Sequence, residues 1–236
     1  MNLMTYPSKK MDTKINYSSF EEQISIRKIE YLVHFTPTIN LLSIIENGYL
    51  YSRTYLEHLD IEQTDILDFV EFTDEVRYDD KNYINLSLSF PNYFLLNRFR
   101  EKTANEPHIN WCILKIDPKY IYQRDTLFAV TNAASRCAKH QYGISGDLEK
   151  FQTLFRDSLS ISAFSGNRIV SRGSLKAKYP TDVQAEILVK DKINYEDVLA
   201  VCFRNENDLA SAKAAMSFLD TSKFTVDASL FTSNRI

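Results

Sequence analysis

Glu186 stands inside Val183-Gln184-Ala185-Glu186-Ile187-Leu188-Val189, an apolar, β-prone run in which a carboxylate needs a partner or a chemical task. The two-residue spacing predicts that Gln184 and Glu186 project from one face of a strand, with Val183, Ala185 and Ile187 on the other. Taken alone, the segment also fits an edge strand carrying a solvated glutamate. Far upstream, Tyr31-Leu32-Val33-His34-Phe35-Thr36 alternates so that His34 and Thr36 share a face of a second short strand. An imidazole and a hydroxyl side by side could hold the hydroxyls and amide of a nucleotide, whereas a lone strand histidine commonly just packs.

The elements around these groups follow from periodicity and punctuation. Pro37 closes the first strand; Leu41, Leu42, Ile44 and Ile45 take helical spacing from a cap at Thr38, and Gly48 stops that helix before Tyr49 and Tyr51. Ile84, Leu86, Leu88 and Phe90 alternate with Asn85, Ser87 and Ser89, which predicts a half-buried strand over 83–90. Short strands are expected over 111–116 and 198–203, and helices over 18–28, 93–100, 148–159 and 210–219. Residues 1–16 read as a loosely packed arm and 56–80 as irregular structure over a cofactor site. The expected organisation is an N-terminal arm and helix, 1–28, followed by one α+β domain, 29–236.

A chain of 236 residues, 44% hydrophobic and 25% charged, can bury a full core. Cys112, Cys137 and Cys202 are scattered without metal-ligand spacing, which points to a reducing cytosol and no metal site. No apolar run is long enough to span a membrane, and Met1 to Lys14 lacks the core of a signal peptide, so a cytoplasmic protein without membrane contact is expected. A net charge of -3 argues against sequence-blind adhesion to nucleic acid by the whole surface. The local exception is 167–180, which holds Arg168, Arg172, Lys176 and Lys178 with no acidic residue and leads into Glu186. Those cations could neutralise phosphates and Tyr179 could stack on a base, though basic loops often serve only solubility.

Several blocks, in this order, resemble the ADP-ribosyltransferase fold and, within it, the DarT family of nucleic-acid-modifying toxins. They are the His34-Phe35-Thr36 strand with Asn40-Leu41-Leu42-Ser43-Ile44-Ile45 and Gly48; Val76-Arg77-Tyr78-Asp79; Tyr83 to Tyr93 with Ser87-Leu88-Ser89-Phe90-Pro91-Asn92; Trp111 to Ile116; Thr131-Asn132-Ala133-Ala134-Ser135; and Gln184 to Val189. The resemblance spans residues 29–205. It implies a split mixed or antiparallel sheet flanked by helices, and NAD as the ADP-ribose donor, bound without the glycine-rich fingerprint of dehydrogenases.

By the same resemblance Glu186 steadies the oxocarbenium-like sugar as nicotinamide leaves, and Arg77 acts electrostatically, with Arg53 as its rival. His34, Thr36 and Asn40 would grip NAD in a groove walled by Tyr49 and Tyr51, with Ser87 bracing the acid and Tyr93 stacking on nicotinamide. Asn132 and Gln184 would touch the acceptor, and Arg168, Arg172, Lys176, Lys178 and Tyr179 its strand. The family implies single-stranded DNA as substrate and a macrodomain antitoxin as partner; the Ser87-Leu88-Ser89 and Asn132-Ala133-Ala134-Ser135 blocks look closer to its guanine branch than to its thymine branch. An ADP-ribosyltransferase acting on protein or RNA, and a non-catalytic nucleic-acid-binding module, remain alternatives.

Overall fold

A computed structural model of the chain describes residues 12–61, 80–106, 109–163 and 166–235. The elements are helix α1 (Tyr17–Arg27), strand β1 (Leu32–Pro37), α2 (Asn40–Asn47), β2 (Tyr49–Tyr51), α3 (Arg53–Leu59), β3 (Tyr83–Leu88), α4 (Tyr93–Lys102), β4 (Trp111–Ile116) and β5 (Leu127–Ala129). They continue through α5 (Leu148–Thr153), β6 (Ser158–Ala163), β7 (Gly166–Ser171), β8 (Glu186–Lys190), β9 (Lys192–Asn194), β10 (Val198–Phe203), α6 (Glu206–Ala215) and β11 (Phe224–Val226). Seven strands form one sheet in the order β11-β10-β4-β1-β3-β8-β5. Only β10 and β11 run parallel; the other neighbours are antiparallel. This is the mixed α+β architecture that the sequence predicts.

The sheet is forked. β1 pairs with β4 along all six of its residues, but with β3 only at Leu32↔Leu88 and Val33↔Ser87. β3 meanwhile pairs with β8 from Tyr83 to Leu86, so the two halves of the sheet share only those two rungs. One side of the sheet is covered by a large core in which Phe20 of α1 meets Phe128 and Phe151 at ring separations of 5.8 Å each. The other side carries a second cluster around Phe99, Trp111 and Ile113. Each fully buried phenylalanine or leucine contributes ~1.5–3 kcal/mol relative to exposure, so these clusters hold α1 through Phe20 and α4 through Leu96 and Phe99 against the sheet.

Local chemistry departs from the sequence reading in several places. Thr38 does not cap α2; the N-cap is Ile39, whose side chain caps nothing, while Gly48 ends the helix at φ 72° as expected. The described part of the N-terminal arm is not loose: Thr13 bridges Gln123, and buried Lys14 donates to the carbonyls of Arg124 and Thr126. Burial lowers that ammonium to about 8. Within 56–80, α3 already extends to Leu59 behind a Ser52 cap, and 62–79 lies outside the described residues. Helical spacing over 148–159 yields only α5, because Ser158 opens a hairpin with β7 that also absorbs the first part of the basic stretch. The last helix starts at Glu206, not 210, because Asn205 caps it by accepting from the Asp208 N–H.

Candidate active site

At the fork, where the next rungs between β1 and β3 would stand, a side chain replaces the backbone ladder. His34 Nδ1 lies 3.1 Å from the Asn85 carbonyl oxygen. The side chain of the same asparagine donates through Nδ2 to Glu186 Oε2 at 3.2 Å. Strand alternation alone would send His34 to the side of Leu32 and Leu114, and Glu186 to the side of Asn85 and Leu188. The opening of the sheet brings them within one residue of each other. The imidazole and the carboxylate singled out from the sequence are thus joined through Asn85, whose value could be read only as one polar residue on the exposed face of β3.

Glu186 is the first residue of β8, only 8% exposed, and Oε2 takes a second hydrogen bond of 2.8 Å from the Ala133 backbone N–H. That N–H is presented by a tight turn in which Asn132 Oδ1 accepts from Ala134 N–H at 2.9 Å. Asn132 therefore shapes the turn behind the carboxylate. Two donors on one carboxylate oxygen fix its position.

The approach to Glu186 is braced from below. Asp182, with no exposed surface, receives Arg168 Nη2 at 2.8 Å and the Gln184 N–H at 3.0 Å. Arg235 donates to the Pro180 and Thr181 carbonyls, and Ala185 N–H closes a turn on the Asp182 carbonyl. Gln184 consequently sits in a turn, not on the strand, so the two-residue spacing does not put it on the face of Glu186. Asp182 was missed because a lone Asp before an apolar run reads as an ordinary turn residue. Removing Arg168 leaves a buried carboxylate without its cation. Arg168→Ala is therefore expected to destabilise the fold by ~2 kcal/mol, discounted for the half-exposed guanidinium, and a thermal melt measures it.

The His34 ring is half-buried, and desolvation pushes its pKa below the ordinary 6.5 against the opposing pull of the Asn85 carbonyl. The neutral ring must carry its hydrogen on Nδ1, the nitrogen facing that carbonyl, which leaves the lone pair on Nε2. In the unfolded chain the ring takes a proton as pH falls through 6.5, while in the folded one it does so only at lower pH. Stability attributable to this group is therefore complete above 6.5 and declines below it. Melting temperature followed from neutral pH downward should show that decline, and His34→Asn should flatten it.

Other predicted residues are placed as follows. Thr36 and Asn40 are buried and bond to each other, Asn40 Nδ2 to Thr36 Oγ1 at 3.0 Å, across the turn from β1 into α2. Tyr49 and Tyr51 lie on one face of β2 with ring centroids 5.4 Å apart, and Tyr51 stacks on Tyr55 at 5.2 Å. Lys192 Nζ lies 4.4 Å from the Tyr49 ring. Arg53 opens α3, and Tyr93 opens α4 behind an Asn92 cap. Ser87 Oγ accepts from the Asn92 N–H at 3.3 Å and so ties β3 to that cap. Arg77 lies outside the described residues.

The basic segment is mostly engaged within the fold. Arg172 donates to the Tyr179 and Lys176 carbonyls at 2.8 and 2.7 Å, and Arg168 is held by Asp182. Lys178 Nζ pairs with Glu30 at 3.5 Å; Lys176 is exposed. Tyr179 is 8% exposed and packs edge-on against Phe90, so it belongs to the second core and cannot stack on a base. Among the described residues no cluster of His, Cys, Asp or Glu could hold a metal.

A family model described as "ssDNA thymidine ADP-ribosyltransferase, DarT" matches residues 33–231. No curated protein matches the sequence. Among solved structures, "Thermus sp. 2.9 DarT in complex with carba-NAD+" is similar with a TM-score of 0.57 at 11% identity, over 87% of this chain and 99% of that one. "Thermus sp. 2.9 DarT in complex with ADP-ribosylated ssDNA" gives 0.54 at 10% identity, over 87% and 97%. "Thermosipho africanus DarTG in complex with ADP-ribose" gives 0.50 at 15% identity over 86% of this chain; the chain spans about half, 51%, of that one. These structures show the same fold. The family description names thymidine, against the guanine branch expected from the Ser87-Leu88-Ser89 and Asn132-Ala133-Ala134-Ser135 blocks.

Proposed function

This chain belongs to the DarT family, and from that membership we propose that it transfers ADP-ribose from NAD to a base of single-stranded DNA, as the toxin of a toxin–antitoxin or anti-phage system. The observation that carries the reading is the junction of His34 and Glu186 through Asn85. When bound, NAD supplies the ADP-ribosyl group and a nicotinamide leaving group, so positive charge develops at the ribose anomeric carbon.

The residues present fit such a donor. Glu186 would meet that developing charge with a carboxylate already held by the Asn85 amide and the Ala133 N–H, so little reorganisation is needed. His34 would offer Nε2 as acceptor to a sugar hydroxyl. Thr36 and Asn40 keep the turn after β1 in place, and Tyr49, Tyr51, Arg53, Ser87 and Tyr93 are the further donor-binding candidates. Arg77 is kept as the electrostatic partner, with Arg53 as the alternative. Lys176 is the cation of the basic segment best placed to meet a phosphate.

The proposed setting is the cytoplasm, which suits three free, buried cysteines; no described helix is long and apolar enough to cross a membrane. The proposed partner is a macrodomain antitoxin that removes the modification. Incubation with NAD labelled in its ADP-ribose and short single-stranded oligonucleotides tests the activity. The label should survive protease and be released by nuclease. Label that survives nuclease and is lost to protease would place the acceptor on protein.

A further inference from the structure

Glu186 and His34 stand on different halves of the forked sheet, and little backbone joins the halves. His34 lies on β1, in the half made of β11, β10, β4 and β1; Glu186 opens β8, in the half made of β3, β8 and β5. Continuing the Leu86↔Ile187 register by one residue sets Glu186 level with Ser87, one of the two residues of β3 that pair with β1. The carboxylate is therefore beside the joint. What holds the chain as it enters β8 decides where that carboxylate stands relative to the imidazole.

The chain enters β8 through 179–185, a segment outside the strands in which every residue but Gln184 is buried. Buried backbone oxygens without a ladder need donors from elsewhere, and here guanidinium groups supply them. Arg172 donates to the Tyr179 carbonyl at 2.8 Å and Arg168 to the Asp182 carboxylate at 2.8 Å, from 7 and 14 residues away. Arg235 donates to the Pro180 carbonyl at 2.9 Å and the Thr181 carbonyl at 3.4 Å, from 55 and 54 residues away. It does so from the other half of the sheet. After β11 the Asp227 N–H bonds the Phe203 carbonyl of β10, the Asp227 carboxylate pairs with Lys115 of β4 at 2.8 Å, and Leu230 and Phe231 pack in the cluster that holds Val33 and Trp111.

We propose that Arg235 is a positioning residue, a tie from the β1 half of the sheet that fixes the entry to β8 and thereby the place of Glu186 beside His34. The inference rests on the reading of Glu186 as the carboxylate of ADP-ribosyl transfer and adds a residue that acts through it. A planar guanidinium suits the task, because its donors are set in a rigid fork that can hold two neighbouring carbonyls at once. Burial lowers its pKa from the ordinary arginine value while Asp182 opposes that shift, and the group remains a cation. The precision matters for rate, since a misplacement of about 1 Å at a reacting centre can cost about a hundredfold.

Nicotinamide release at saturating oligonucleotide tests the tie. Arg235→Ala should lower kcat by about tenfold or more and change the KM for NAD by less than about threefold. In a Glu186→Gln background the same substitution should cost less than about threefold, because the carboxylate it positions is already gone. Hydrogen exchange read by mass spectrometry should show the amides of 182–186 exchanging about tenfold faster in Arg235→Ala, with those of β4 unchanged. Arg235→Lys keeps the cation without the fork and should fall between wild type and alanine on both readouts; it carries the test if the alanine variant fails to fold. Unchanged rate and exchange, or equal losses of rate with and without the Glu186 carboxylate, would overturn the proposal. A wild type that releases no nicotinamide, beside faster exchange in Arg235→Ala, would keep the tie and refute the proposed activity.

Discussion

Glu186→Gln is expected to lower ADP-ribosyl transfer by about 10³-fold, ~4 kcal/mol, while leaving the protein folded. Two hydrogen bonds reach this side chain at Oε2, from Asn85 Nδ2 and the Ala133 N–H. A glutamine carbonyl oxygen can accept these two, so this anchorage at the start of β8 persists while the negative charge is lost. Initial rates of nicotinamide release and a thermal melt, measured on the same preparation, separate the two effects. A comparable fall in melting temperature and rate would mean that the residue holds the strand pair together instead of serving the reaction.

Asn85→Asp should be nearly as damaging for a different reason. It places a second carboxylate where an amide now stands 3.2 Å from Glu186 Oε2. Two carboxylates sharing a site cannot both ionise freely, so one apparent pKa of the pair rises. Transfer at neutral pH should fall ~10–100-fold, and the acid limb of the pH–rate profile should move upward by about one unit or more. The His34 contact uses the backbone carbonyl and is retained, so donor binding should change little. An unshifted acid limb would show that Asn85 does not govern the charge state of Glu186.

The sequence carried the parts of this site that rest on periodicity. Alternation marked β1 and β3, helical spacing and Gly48 marked α2, and a lone acid in an apolar run marked β8. What stayed hidden depends on side chains far apart in the chain. The bridge from Asn85 to Glu186 spans 101 residues, and that from His34 to Asn85 spans 51. Neither has a local signature, because the fork that permits both is a property of pairing among three strands. Basic side chains were the other blind spot. Arg168 and Arg172 read as cations open to the phosphates of a strand, yet a buried Asp182 and two backbone carbonyls take them up. Tyr179 follows the same logic, since only the packing partner Phe90 reveals that its face is covered.

The central claim, that one buried carboxylate and one neutral imidazole meet through Asn85 to move ADP-ribose onto a DNA base, is tested most directly by mass spectrometry. A single-stranded oligonucleotide would be incubated with NAD and the protein, then weighed and fragmented. The account predicts a mass gain of one ADP-ribosyl group located on a base, present with the wild type and absent with Glu186→Gln. An unmodified oligonucleotide beside consumed NAD, or the same gain with Glu186→Gln, would contradict it.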